Sequence, residues 1–191
     1  MGGAGLGFLV GFGAIFVGGV LSAITALVLS RFGYSTERTI QQPFMDSLQT
    51  WVAQNPALAI PAIIFVVVVI GPACEELAFR GGIFNGLRNL GLFLSDRLSL
   101  QRNEKISGHR KAALIGVSTV LAAVLSSVFF AVLHLEPVIL PSLFVFALVL
   151  CYLFQKTGSL LPCFVAHATF NSFATAVIIL SGLGALPPLP S

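Results

Sequence analysis

Long apolar blocks divided by short polar stretches set the pattern of this chain. The blocks run over about 6–29, 57–70, 112–133, 137–154 and 160–180. All but 57–70, which is interrupted and resumes further on, are close to the roughly 20 apolar residues that a helix needs to cross a hydrocarbon layer about 30 Å thick. The pattern predicts an all-α fold, a polytopic membrane helix bundle with five or six transmembrane segments. The first block carries no charge and is too long for a signal-peptide core, so it reads as a retained span. Its Gly7-x-x-x-Gly11 step suits close helix packing, which in lipid has no hydrophobic driving force behind it. Residues 31–56 are polar and end near Trp51, an aromatic anchor suited to the membrane interface.

The second block is the ambiguous one. It is interrupted by Gly71-Pro72 and resumes through Glu75, Glu76 and Arg80 toward Leu94. As one helix it would be about 55 Å long, more than a single crossing uses. The chain is therefore expected to break or to cross twice, with Gly71-Pro72 and Gly81-Gly82 as the break points, since proline removes a backbone donor and glycine weakens the helix. Ser95 to Lys111 reads as a loop rich in Lys and Arg, cytoplasmic by the positive-inside rule. A single crossing over 57–94 then implies a cytoplasmic N-terminus, and a double crossing the opposite. The turn Gln155-Lys156-Thr157-Gly158 makes an antiparallel pair of the last two spans, ahead of a proline-rich tail, Pro187-Pro188-Leu189-Pro190. No repeat, soluble domain or long linker is visible. The chain reads as one integral membrane domain over 1–191 with a catalytic core at 57–180.

Composition sharpens this picture. Of 191 residues 57% are hydrophobic and 9% charged, with a formal net charge of +3, and the mean hydropathy is +0.99. A soluble domain would carry about a quarter charged residues. The excess charge is spread over loops, so the lipid bilayer is the expected partner and nucleic acid is not. Cys74, Cys151 and Cys163 are odd in number, lack CxxC spacing and sit in apolar surroundings, which predicts buried fillers rather than disulfides.

Against this background a few polar residues stand out, because an ionisable group at bilayer depth costs at least about 2.5 to 3.5 kcal/mol. On a helix Glu76 and Arg80 face each other as an ion pair, while Glu75 is turned about 100° away and free for other work. A cluster snorkelling to water is the plain alternative. Phe130 and His134 lie one turn apart; a lone histidine at a helix end is more often interfacial than catalytic. His167 and Asn171 share one face inside the last block, where hydrogen bonding between helices is the plain alternative. Together these residues offer a carboxylate, proton-handling imidazoles and neutral donors, the parts that general-base hydrolysis needs. Depth does not fit neatly. His167 lies about 12 to 15 Å beyond the turn at Lys156, whereas a straight helix from His134 to that turn would span about 30 Å.

The ordered set Glu75-Glu76-x-x-x-Arg80, Phe130-x-x-x-His134 and His167-x-x-x-Asn171 resembles the three motifs of the CPBP family of CAAX proteases and bacteriocin-processing enzymes, also called Abi. The resemblance covers about residues 57–180 and implies an intramembrane endopeptidase related to the type II CAAX prenyl endopeptidase. It implies that Glu75 is the catalytic glutamate and that His134 helps to activate water. It further implies that His167 and Asn171 stabilise the oxyanion, with Glu76 and Arg80 as support and Phe130 packed behind. The substrate would be a membrane-associated or lipidated protein or peptide, and the expected setting is a bacterial plasma membrane. Family members have been described both as metal-independent glutamate proteases and as metalloproteases. The metal-free version, without cofactor, is the expectation here; a zinc version would use Glu75, His134 and His167, although the HExxH spacing is missing. A non-catalytic scaffold or bacteriocin immunity protein is the reading from another class, and a small-molecule transporter a third, which the lack of repeats disfavours.

Overall fold

The structure is a computed structural model that describes residues 2–34, 41–101 and 108–187. Within them the chain forms helices and no strand: α1 (Gly3–Arg31), α2 (Gln42–Gln54), a long α3 over 56–101, α4 (Gly108–Val132), α5 (Leu140–Thr157) and α6 (Leu160–Gly182). All but α2 are long and apolar enough to cross a membrane. The protein is a multi-pass integral membrane helix bundle. The middle of the expected basic loop, including Arg102, Glu104 and Lys105, and the end of the proline-rich tail lie outside the described residues.

Helix α3 corrects two expectations. It neither breaks at Gly71-Pro72 or Gly81-Gly82 nor crosses twice; Pro56–Arg97 is one helix of 42 residues. At about 1.5 Å per residue that is some 60 Å, so its end projects beyond the hydrocarbon layer. The loop expected over 95–111 is correspondingly shorter, since helix continues to Gln101 and resumes at Gly108. What the proline does instead is widen the ladder. Ile64–Ile70 and Leu77–Phe84 are π-helical, separated by an α-helical turn over Gly71–Glu76. Gly71 N–H bonds to Val66 O, five residues back. The next residue is Pro72, which has no N–H for the Val67 carbonyl. Asn171 Nδ2 donates to that carbonyl from α6 at 3.1 Å. The missing donor is thus replaced from a neighbouring helix, as buried backbone oxygen in lipid requires.

Helix α6 sits at the centre, packed against α1, α2, α3 and α5, and its contact with α1 is the most extensive in the molecule. The Gly7-x-x-x-Gly11 step makes that contact. A Cβ on Gly7 would run into Pro162 O, and one on Gly11 into Ala166 O. The turn after α5 is left-handed at Gly158, φ 64°, and Ser159 caps α6 by accepting from Leu161 N at 3.2 Å. Cys151 and Cys163 are buried as expected, but Cys74 is exposed, because it falls on the outward face of α3.

Candidate active site

Side chains from three helices meet in one cluster. Glu75, Glu76 and Arg80 come from α3, Phe130 from α4 and His167 from α6. Glu76 and Arg80 pair at 3.0 Å, four residues apart, with both side chains 1% exposed. Arg80 Nη2 also donates to Ala147 O of α5 at 3.3 Å. Glu76 is more than Arg80's partner, because the same Oε1 meets His167 Nδ1 at 2.7 Å. With Glu76 charged against Arg80, Nδ1 is the donor and His167 is held in one orientation by a carboxylate. Its other nitrogen, Nε2, lies 3.6 Å from Glu75 Oε2, which is longer than a hydrogen bond. The Nε2 position therefore stays available to another group.

Glu75 and Glu76 differ in access. The Glu75 side chain is 36% exposed, whereas Glu76 and His167 are buried. Glu75 Oε2, Glu76 Oε2 and Arg80 Nε are buried yet make no hydrogen bond. Native interiors satisfy nearly all such atoms, and the exceptions concentrate where chemistry is done. A desolvated pair such as Glu76 and Arg80 is a poor way to gain stability, since its desolvation cost rivals its attraction.

Phe130 stands among these groups. Its ring lies 5.0 Å from Phe79, 4.8 Å from His134 and 5.7 Å from His167, and the Arg80 guanidinium sits 4.9 Å from its centroid. The mismatch in depth between the two histidines is bridged this way. His134 follows the end of α4, and a non-helical stretch to Ile139 shortens the climb along α5 that a straight helix would impose. His134 Nδ1 bonds to Phe130 O at 2.8 Å. A carbonyl only accepts, so Nδ1 carries a proton, and in the neutral ring Nε2 would be the acceptor. Asn171, one turn beyond His167, donates one amide hydrogen to Val67 O and retains a second.

Several contributors could not be read from the sequence. Gln41 Nε2 donates to His134 O at 2.7 Å across 93 residues, just before Leu135 takes a left-handed φ of 54°. Phe146 lies edge-on to His167 at 5.7 Å. No local motif announces either residue, nor the carbonyls of Val67 and Ala147. As for metal, no three His, Cys, Asp or Glu side chains among the described residues are grouped to share an ion, and the set Glu75, His134 and His167 is not such a group. Glu76 Oε1 is already engaged by two N–H donors.

The family model for type II CAAX prenyl endopeptidases, Rce1-like, matches residues 56–173. The chain belongs to this Rce1-like family. No curated protein and no solved structure matches it. The matched residues of this Rce1-like chain begin with α3 and end inside α6, so they contain the Glu75 to Asn171 constellation and exclude α1, α2 and Gln41. Membership makes it a CAAX-type intramembrane protease, a hydrolase acting in the lipid bilayer on peptide substrates.

Proposed function

We propose that this protein cleaves a peptide bond near the C-terminus of a lipidated, membrane-associated protein or peptide, by metal-free general-base hydrolysis at Glu75. The observation that carries the reading is the buried relay from Arg80 through Glu76 to His167, ending 3.6 Å from the half-exposed Glu75. Arg80 balances Glu76, which leaves Glu75 with His167 as its only close titratable partner in that relay. Glu75 takes a proton from the attacking water, assisted by His134, whose Nε2 is the free acceptor. As the tetrahedral intermediate forms, its oxygen receives a hydrogen bond from Nε2–H of His167 in its imidazolium form, whose Nδ1–H is held by Glu76, and another from the second amide hydrogen of Asn171. Glu75 then returns the proton to the leaving amine. Fixed donors aimed at developing charge are usually the largest catalytic contribution of a site. Glu76 and Arg80 orient His167, and Phe130 spaces the two imidazoles.

The experiment uses the full chain in lipid vesicles with an internally quenched peptide ending in a lipidated cysteine motif, and the products are read by mass. Wild-type protein should release the residues after the cysteine, and Glu75→Gln should abolish release with helicity and thermal midpoint unchanged. Chelator treatment should leave the rate unaltered. A well-folded Glu75→Gln protein that still cleaves would sink the assignment, and loss of turnover on chelation, restored by zinc, would sink its metal-free form.

A further inference from the structure

Apart from the polar layer, the bundle has an apolar cleft of about 240 Å³ between α1 and α5, lined by residues including Val10, Gly13, Gly18, Ser142, Val145 and Phe146. We propose that this cleft holds one acyl chain of a bilayer lipid, and that the bound chain supports His167 through Phe146. Its volume exceeds the roughly 150 Å³ of an apolar cavity known to admit a benzene ring. Helices in lipid associate through van der Waals contact, which an unfilled gap between them forfeits.

The cleft exists because α1 presents glycine there. A Cβ on Gly13 would meet nothing within 4 Å, whereas Gly7 and Gly11 of the same helix sit hard against α6. The rim is continuous with the lipid-facing surface, since Leu9 and Val17 are 51% and 52% exposed. The surrounding medium is itself acyl chain, which selects the occupant. The inner wall leads to the site. Phe146 stacks on Phe170 at 4.6 Å and meets the His167 ring edge-on at 5.7 Å. A chain packed against Phe146 therefore limits the travel of a ring that packs edge-on against His167. The coupling to turnover rests on the role proposed for His167; the occupancy does not.

Wild type, Gly13→Leu, Val145→Phe and Gly19→Leu are reconstituted in palmitoyl-oleoyl-phosphatidylcholine vesicles and extracted in mild detergent, and retained lipid is counted by native mass spectrometry. The side chain added by Gly13→Leu has open space to enter, and Gly19 is equally open but does not line the cleft. Retention of one lipid by wild type and Gly19→Leu, with a drop of at least about tenfold in the two plugged variants, is expected. Delipidated wild type should regain turnover several-fold when the lipid is returned, and Gly13→Leu should not respond. Equal retention in both plugged variants and wild type overturns the site. Displacement of the lipid by a farnesylated peptide overturns the choice of occupant in favour of the substrate's own chain. Turnover that ignores lipid, where retention follows the expected order, overturns the coupling. A wild type that cleaves nothing leaves the retention measurement standing by itself and counts against the protease mechanism instead.

Discussion

The two faces of α6 are built on opposite principles. Toward α1 it shows Pro162, Ala166 and Thr169, met by glycines so close that no Cβ could be added at Gly7 or Gly11. Toward α3 it shows His167 and Asn171, met by carboxylates and an orphaned carbonyl, with buried polar atoms left unbonded nearby. The first face saturates its contacts and has nothing left to offer. The second keeps unused hydrogen-bonding capacity at a price in stability, which is how a reactive layer differs from a packed one. The difference teaches that α6 is clamped sterically from behind so that its polar side can stay incomplete.

The comparison breaks most sharply at Glu75. Replacing it with Gln should lower kcat by about 10²- to 10⁴-fold, the range lost with a general base, while unfolding in mixed micelles is unchanged. Removing Arg80 should instead strike the fold, because Arg80→Ala strands Glu76 in the interior; a loss of about 3–5 kcal/mol is expected by reversible denaturant titration. On the packed face Gly11→Leu should cost about 1–3 kcal/mol through overpacking, with the specific activity of the remaining folded fraction close to normal. A Gly11→Leu protein of normal stability would remove the basis for calling that face a clamp. Asn171 tests whether one residue serves both ends of the comparison. Asn171→Leu leaves Val67 O unpaired and should cost about 1–3 kcal/mol, and it should also lower kcat by about 10²-fold or more if the second amide hydrogen binds the oxyanion. The smallest effect should come from Gln41→Ala, which removes one neutral hydrogen bond worth about 0.5–1.5 kcal/mol. It should lower kcat several-fold with KM unchanged, and Gln41→Asn should restore part of the loss.

Much of the bundle was legible because lipid leaves the sequence few options. Apolar blocks of spanning length can only be helices, since backbone groups in hydrocarbon must bond within the segment. The Gly7-x-x-x-Gly11 contact and the Glu76–Arg80 pair were equally readable, because both depend on fixed helical spacing. The course of 56–101 was not. Proline at 72 signalled a lost hydrogen bond, but whether the ladder breaks or widens depends on a partner for Val67 O, and that partner is 104 residues away. The same limit applied to Glu76. Spacing paired it with Arg80, and only packing brought His167 onto the same oxygen.

The sequence by itself determined an all-helical membrane bundle, its family, and the short list of polar residues whose presence in lipid needs a reason. These follow from composition, local periodicity and the cost of charge in hydrocarbon, all of which act within a few turns of helix. Only the tertiary structure decided that α3 continues through Pro72, that Glu76 links Arg80 to His167, that Phe130 packs against both imidazoles and that Gln41 reaches His134. Each of those depends on the lateral placement of helices far apart in sequence, and that placement is set by side-chain volume and close packing across the bundle rather than by any pattern along the chain.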